Sequence, residues 1–266
     1  MKLALRSLLV AWTGIFLLAS DCIHAAEKSA SMVVSAQMRQ PIPQKLLDAR
    51  GQGLAVIFIG GFGDEISGIV PHMLAELPPL AEKETRAYYH WHAGCPADCA
   101  RGAHGLAEQV RAYRRNNSAA DVVLIGHSMG ASMALRVAAE LQPQDGRVLV
   151  VTLDPADRSY TPLRPPSVSW WGNAYVVNSL SDHDYIAVLG GRWNACKGAD
   201  VNLRFDGRLR DEAGCFYIHD NALSLLCSRG RGRHVSLLDT LREQLRTAPG
   251  KAPASGTPRQ QWQAKP

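Results

Sequence analysis

The sequence predicts one α/β domain with a mainly parallel central sheet and helices on both faces. Residues 54–59 and 122–125 are apolar at every position rather than at alternate positions. Such runs are typical of strands that are buried on both faces of a parallel sheet. Segments with helical spacing separate these runs, and the alternation of strand and helix indicates a sheet that is covered on both sides.

The predicted elements follow one another along residues 27–246, which we expect to form the domain. Strands are predicted at residues 54–59, 85–92, 122–125, 148–153 and 174–178. Helices are predicted at residues 69–83, 102–116, 131–141 and 234–246. Residues 247–266 are rich in proline, glycine, alanine and glutamine, so we expect a disordered tail there.

Residues 1–26 have the composition of a signal peptide. Lys2 and Arg6 precede an apolar run at residues 8–18, and His24-Ala25-Ala26 supplies small residues for cleavage. A transmembrane helix needs about 20 apolar residues, so an uncleaved membrane anchor is the less favoured alternative. We therefore expect an exported protein, periplasmic or secreted, with no stable membrane span in the mature chain.

The charge of the chain gives no indication of a nucleic-acid partner. The formal net charge of the 266 residues is +5. Removal of residues 1–26 takes away two basic residues and one acidic residue, which leaves +4. Nucleic-acid-binding domains are usually far more basic, with their charge clustered on one face.

Export would place five cysteines in an oxidising compartment. We predict disulfides between Cys95 and Cys99 and between Cys196 and Cys215, with Cys227 left as a buried thiol. Other pairings remain open, because the sequence does not fix connectivity.

A zinc site is the alternative for the first cysteine pair. His90 and His92 alternate along a predicted strand and could join Cys95 and Cys99 around a metal ion. In an exported protein, a Cys-x-x-x-Cys pair is better explained as a disulfide across a tight loop. We therefore predict no metal site and no organic cofactor.

The segment Gly126-His127-Ser128-Met129-Gly130 has the pattern of a nucleophile elbow. It lies between a predicted buried strand and a helix of small residues, which is the context that G-x-S-x-G requires. The sharp turn projects the serine hydroxyl from the end of the sheet, and the flanking glycines allow the close packing. The helix N-terminus adds a positive dipole beside a developing oxyanion.

On these residues the chain resembles the α/β-hydrolase family, in particular its lipase-like and esterase-like members. The resemblance covers residues 54–246 and is most specific at the elbow. It implies an oxyanion hole formed by the backbone N–H groups of Met129 and Phe62. Phe62 lies in Gly60-Gly61-Phe62-Gly63, where Gly60 stands in place of the usual histidine.

The resemblance also implies a histidine base after the serine and the acid in the chain. We predict His234, because it follows the last predicted strand and opens the final helix. His219 is the alternative, although its strand-like neighbours also suit a structural role. His127 is expected to point away from the serine and to belong to the scaffold.

For the acid that orients the histidine, Asp154 is favoured. It ends the strand that follows the elbow, within Leu153-Asp154-Pro155, which looks like a segment of some lipases. The commoner family position is one strand later, where Asp182 and Asp184 are the alternatives. Asp154 could also simply initiate an Asp-Pro turn.

Two further segments could contact a substrate. Residues 155–172, with Tyr160, Trp170 and Trp171, could form a lid or an acyl pocket, or an ordinary packed loop. A second segment alternates arginine with small residues and could attract an anionic substrate group or remain a solvated loop; its arginines are Arg229, Arg231 and Arg233.

Together these residues predict an exported serine hydrolase that cleaves carboxylic esters through a Ser-His-Asp triad and an acyl-enzyme. The expected substrate is a small-molecule or lipid ester. Two alternatives stay open. One is an acyltransferase that uses the same triad, and the other is a binding protein that keeps the fold without turnover.

Overall fold

The computed structural model describes residues 42–91, 96–179 and 187–247. The predicted signal peptide, Cys95 and nearly all of the predicted tail lie outside these ranges, as do the alternative acids Asp182 and Asp184.

Six parallel strands form the central sheet of the described chain, which confirms the predicted parallel sheet and adds one strand to the five that the sequence predicts. The strands lie in the order β2-β1-β3-β4-β5-β6, and each pairs in parallel with the next strand in this order. Their bounds are β1 Leu54–Gly60, β2 Glu84–His90, β3 Val122–His127, β4 Val148–Leu153, β5 Val168–Val177 and β6 Val201–Asp206.

Helices pack on both faces of this sheet, which confirms the predicted architecture. Their bounds are α1 Asp64–Ser67, α2 Ile69–Glu76, α3 Pro96–Asn116, α4 Met129–Glu140, α5 Ala222–Cys227 and α6 Leu237–Arg246, with a 3₁₀ turn at Pro143–Asp145. Side chains of α3 and α4 share one hydrophobic core with the sheet. Side chains of α2, α5 and α6 share the other.

The central strands are buried along their whole length. Every residue of β1, β3 and β4 is buried. Neighbouring residues serve opposite faces: Ile57 packs into the core with α3 and α4, and Phe58 into the core with α2, α5 and α6. Because full burial of such a side chain contributes about 1.5–3 kcal/mol, these strands anchor the loops that leave their ends.

Of the three aromatic residues in the segment 155–172, Trp170 and Trp171 belong to the core and Tyr160 packs against it. Trp170 and Trp171 lie within β5, which begins six residues before the predicted strand, and both are buried. Trp171 Nε1 donates a hydrogen bond to the hydroxyl of Thr152 at 3.0 Å. Tyr160 stacks on Trp193, with their ring centroids 5.7 Å apart. Among the alternatives left open for this segment, these contacts support packing rather than a lid.

The predicted disulfide between Cys196 and Cys215 is wrong for this structure, in which both residues are unbonded. The Cys196 N–H donates to the side chain of Asn202, near the start of β6. Cys215 lies in a turn beyond the end of β6, where its N–H donates to Asp211. A six-residue strand spans about 20 Å, whereas a disulfide requires Cα atoms less than about 7 Å apart.

Cys227 also differs from its prediction. It lies at the end of α5 and is exposed rather than buried. The predicted partner of Cys99, Cys95, lies outside the described residues, so that pairing stays a prediction.

No helix within residues 42–91, 96–179 and 187–247 is long and apolar enough to cross a membrane.

Candidate active site

The junction between β3 and α4 is a strained turn. Ser128 is the single residue between β3 and α4. Its φ of 55° and ψ of −127° are rare for a residue other than glycine. Its N–H donates to the carbonyl of Leu153 at 3.1 Å, and its carbonyl accepts from Ala131 and Ala156 at 3.1 and 3.3 Å. The end of β4 and the first turn of α4 therefore hold the serine in this strained conformation.

Close backbone contacts explain the glycines around Ser128. A Cβ atom on Gly130 would lie 2.1 Å from the carbonyl oxygen of Ile59, and one on Gly126 would lie 2.4 Å from the carbonyl oxygen of Gly130. A Cβ on Gly61 would lie 2.8 Å from both the Met129 nitrogen and the Ser128 Cβ. The end of β1 and the loop after it thus pack directly on the elbow, and a larger residue at Gly61 or Gly130 would separate them.

The two predicted oxyanion donors lie next to the contact between Gly61 and the elbow. Met129 is the first residue of α4, and Phe62 follows Gly61 in the loop that contacts it. Among the described residues, no group accepts a hydrogen bond from the backbone N–H of Phe62 or Met129. Unused N–H groups beside a helix N-terminus suit a negatively charged oxygen. Their role as an oxyanion hole stays a prediction.

Asp154 directly follows β4 and is completely buried, with φ 37°. Its Oδ1 accepts the Val176 N–H at 2.9 Å. Its Oδ2 lies 2.7 Å from His219 Nδ1 and accepts from Arg192 Nη2 at 2.9 Å. Burial alone would raise the pKa of this carboxyl, but the hydrogen bond and charge of His219, followed by the charge of Arg192 and the Val176 amide, lower it overall. Asp154 is therefore a carboxylate at neutral pH, ready to accept hydrogen bonds.

The histidine at this carboxylate is His219, which was the alternative, and not His234. His219 is buried and lies just before α5. His234 is exposed in the loop before α6. The structure therefore brings His219, and not the predicted His234, to Asp154, and the role of either histidine as the base stays a prediction.

His127 joins Ser128 to the segment that carries His219. Its Nε2–H donates to the backbone carbonyl of His219 at 2.7 Å, and the two ring centroids are 4.7 Å apart. His127 is thus part of the scaffold, as the sequence predicts. Among the described residues, no hydrogen bond joins Ser128 Oγ to the His219 ring. Such bonds are often loose in unliganded sites and tighten when substrate binds.

Arg192 also belongs to this cluster, although the sequence gives no signal for it. It lies in Gly190-Gly191-Arg192-Trp193, which has no recognisable motif. The three arginines that were singled out are exposed on the loop before α6, where Arg231 donates its N–H to the carbonyl of Arg204. Within the described part of the chain, no group of three or more histidine, cysteine, aspartate or glutamate side chains could hold a metal ion.

Burial of His127 predicts that acid destabilises the protein. Burial, and secondarily the charge of His219, lowers the pKa of His127 from 6.5 to about 4. Between these values the unfolded chain binds a proton that the folded chain does not, so stability falls as the pH falls through this window. We expect this residue to account for a loss on the order of 2–3 kcal/mol in the free energy of unfolding.

Urea denaturation of the wild type and of His127→Gln at pH 7, 5.5 and 4 measures this contribution. The difference in the free energy of unfolding between the two proteins should shrink or reverse as the pH falls. His104→Gln is the matched control, because the His104 side chain is 63% exposed. If the free energy of unfolding falls with pH by the same amount in all three proteins, the loss does not come from His127 and the prediction is contradicted.

One comparison with known proteins identifies a family for this chain. A family model described as "Alpha/beta hydrolase family" matches residues 34–257. A comparison with curated proteins found no match.

Three solved structures are similar at low identity. RedJ, solved with a polyethylene glycol molecule in its active site, is 14% identical with a TM-score of 0.38, over 79% of this chain and 98% of its own. A protein of Agrobacterium vitis S4, described as a candidate hydrolase, is 14% identical with a TM-score of 0.33, over 76% and 89%. A lipase-esterase related protein of Clostridium acetobutylicum ATCC 824 is 12% identical with a TM-score of 0.33, over 79% and 98%.

Proposed function

The chain belongs to the alpha/beta hydrolase family, and from this premise we propose that it is a serine hydrolase that cleaves carboxylic esters through Ser128, His219 and Asp154. The observation that carries the proposal is the 2.7 Å contact between His219 Nδ1 and Asp154 Oδ2, in a cluster tied by His127 to the strained Ser128. A serine hydroxyl needs a base that is oriented by a third group, and this cluster supplies both.

In the proposed reaction Ser128 Oγ attacks the ester carbonyl and transfers its proton to His219 Nε2. Asp154 holds Nδ1–H, which leaves Nε2 as the nitrogen that accepts the proton, and it stabilises the imidazolium that forms. The imidazolium then protonates the departing alcohol, and the acyl group remains on Ser128. Water attacks the acyl-enzyme with help from the same histidine and releases the acid.

The negative charge of the tetrahedral intermediate falls on the former carbonyl oxygen. We propose that the N–H groups of Met129 and Phe62 bind this oxygen. The support is their position at the Gly61 contact and the absence of any acceptor for them among the described residues. In serine hydrolases, one such donor contributes about 2.7–4 kcal/mol to transition-state stabilisation.

We also propose that the protein is exported, because Lys2, Arg6 and the apolar run at residues 8–18 have the order of a signal peptide. Expression of the full chain, followed by N-terminal sequencing of the protein recovered outside the cytoplasm, tests this. A mature protein that begins near Glu27 is the expected result. A full-length chain retained in the cytoplasm would contradict it.

Labelling with a fluorophosphonate tests the proposed nucleophile. We expect Ser128 Oγ to form a bond to phosphorus, with loss of fluoride and transfer of the hydroxyl proton to His219. Peptide mapping should place the label on Ser128, and p-nitrophenyl esters of increasing chain length should be hydrolysed by the unlabelled protein. Folded protein with neither label nor turnover would contradict the proposal and favour a binding protein on this fold.

A further inference from the structure

A nearly buried arginine shares the carboxylate oxygen that holds His219. Asp154 Oδ2 lies 2.7 Å from His219 Nδ1 and 2.9 Å from Arg192 Nη2. The Asp154 side chain is 0% exposed and that of Arg192 is 11% exposed. An ester-cleaving triad needs only the acid, the histidine and the serine, so Arg192 is an addition that requires its own explanation.

The backbone on either side of Arg192 is fixed. The N–H of Trp193 donates to the carbonyl of Pro155 at 2.7 Å, and the N–H of Asp157 donates to the carbonyl of Gly191 at 3.1 Å. The indole of Trp193 also donates to the Asp157 carbonyl at 3.0 Å. Gly191 has φ +82°, a conformation that favours glycine. The chain therefore presents the guanidinium at Asp154 in a defined position.

Residues 155–157, which hold the backbone beside Arg192, also contact Ser128. The N–H of Ala156, which forms an antiparallel bridge with Arg192, donates to the carbonyl of Ser128 at 3.3 Å. A movement of Arg192 would thus disturb both the carboxylate and the elbow. This arrangement suits a residue that positions the triad.

The charges around His219 give Arg192 a second effect. Among the described residues, the titratable groups near the ring are Asp154 just after β4, His127 at the end of β3, Asp220 on its own segment, and Arg192. Burial keeps the pKa of His127 near 4, so His127 is neutral above that pH. Of these four groups, only Arg192 carries a permanent positive charge, because a guanidinium does not lose its proton in proteins.

We propose that Arg192 is a positioning residue of the triad, which fixes the Asp154 carboxylate and opposes the charging of His219, so that hydrolysis continues at lower pH. The proposal rests on the proposed function of Ser128, His219 and Asp154. An imidazolium at His219 cannot accept the serine proton, and a fixed cation on the shared oxygen makes that charged form less favourable.

Two substitutions separate the charge of Arg192 from its hydrogen bond. Arg192→Gln keeps an N–H donor but removes the charge, and Arg192→Lys keeps the charge on a single ammonium donor. We measure kcat/KM for a p-nitrophenyl ester from pH 4 to 9, with circular dichroism at each pH to confirm folding. The acid limb of the pH profile is the range over which kcat/KM falls as the pH is lowered. We expect the acid limb of Arg192→Gln to lie about one pH unit higher than that of the wild type. The acid limb of Arg192→Lys should stay close to that of the wild type.

A purely structural arginine would give a different result. Its loss would lower kcat/KM by the same factor at every pH and leave the acid limb in place, which would overturn the proposal. Arg208→Gln is the matched control, because it breaks an arginine–aspartate pair whose arginine is 58% exposed. The profile of this control should overlay that of the wild type.

A second measurement does not depend on turnover. In the Ser128→Ala background, the His219 ring resonances are followed by NMR through the same pH range, with and without Arg192→Gln. The ring should take up its proton at higher pH when Arg192 is absent, and an unchanged midpoint would overturn the proposal. If the wild-type protein shows no turnover that depends on Ser128, the proposed function is contradicted. The titration of the His219 ring would still test the effect of Arg192 in that case.

Discussion

Ser128→Ala is expected to lower kcat/KM for an ester substrate by at least about 10⁴-fold, because in the proposed mechanism Ser128 is the group that forms the acyl-enzyme. The remaining activity would come from the oxyanion donors and from substrate binding. Alanine keeps the Cβ atom and meets the same strain at φ 55° that serine already bears. We therefore expect the free energy of unfolding to change by less than about 1 kcal/mol. Steady-state kinetics and urea denaturation of the purified variant measure the two effects.

A serine at the opposite end of the same strand is the control for this substitution. Ser118 is exposed in the loop that precedes β3, whereas Ser128 follows the end of β3. Ser118→Ala should retain the kcat/KM of the wild type within about twofold. A Ser128→Ala protein that keeps more than about a tenth of the wild-type kcat/KM would show that the nucleophile lies elsewhere.

The parts of the fold that could be predicted are those in which local sequence and burial agree. β1, β3 and β4 are buried at every position and read as continuous apolar runs. β6 was missed, because it lies at the edge of the sheet and its sequence Val-Asn-Leu-Arg-Phe-Asp mixes polar and apolar residues. A mixed edge strand has a weaker signal than a run buried on both faces.

The position of Asp154 could be predicted for a similar reason. It ends a recognisable strand, and the carboxyl ends of parallel strands meet at one edge of the sheet, where ligands usually bind. The contact between Asp154 and His219 confirms that this aspartate faces a histidine. The alternative positions Asp182 and Asp184 lie outside the described residues.

Which histidine contacts Asp154 could not be predicted, because this depends on contacts between distant residues. Chain order requires only that the base follow the acid, and both His219 and His234 satisfy that requirement. In the structure it is His219 that contacts the carboxylate of Asp154, 65 residues away, and His127, 92 residues away. Arg192 could not be predicted for the same reason, since its place beside Asp154 depends on pairing with residues 155–157.

Substitution of the two histidines should therefore separate the alternatives. His219→Ala is expected to lower kcat/KM for a p-nitrophenyl ester by at least about 10³-fold, because Ser128 loses its base and Asp154 loses the group that it orients. His234→Ala should leave kcat/KM within about twofold of the wild type, because His234 is exposed on the loop before α6. Circular dichroism of both variants confirms that each is folded before the kinetics are compared.

The pH dependence of labelling by a fluorophosphonate makes this comparison independent of the ester chosen. The His234→Ala protein should be labelled at the wild-type rate, with the same acid limb. The His219→Ala protein should be labelled slowly and without that limb, since no imidazole remains to accept the Ser128 proton. The opposite order would restore His234 as the base. The contact between His219 and Asp154 would then be structural, because a histidine that only fills the core has no effect on the reactivity of a serine hydroxyl.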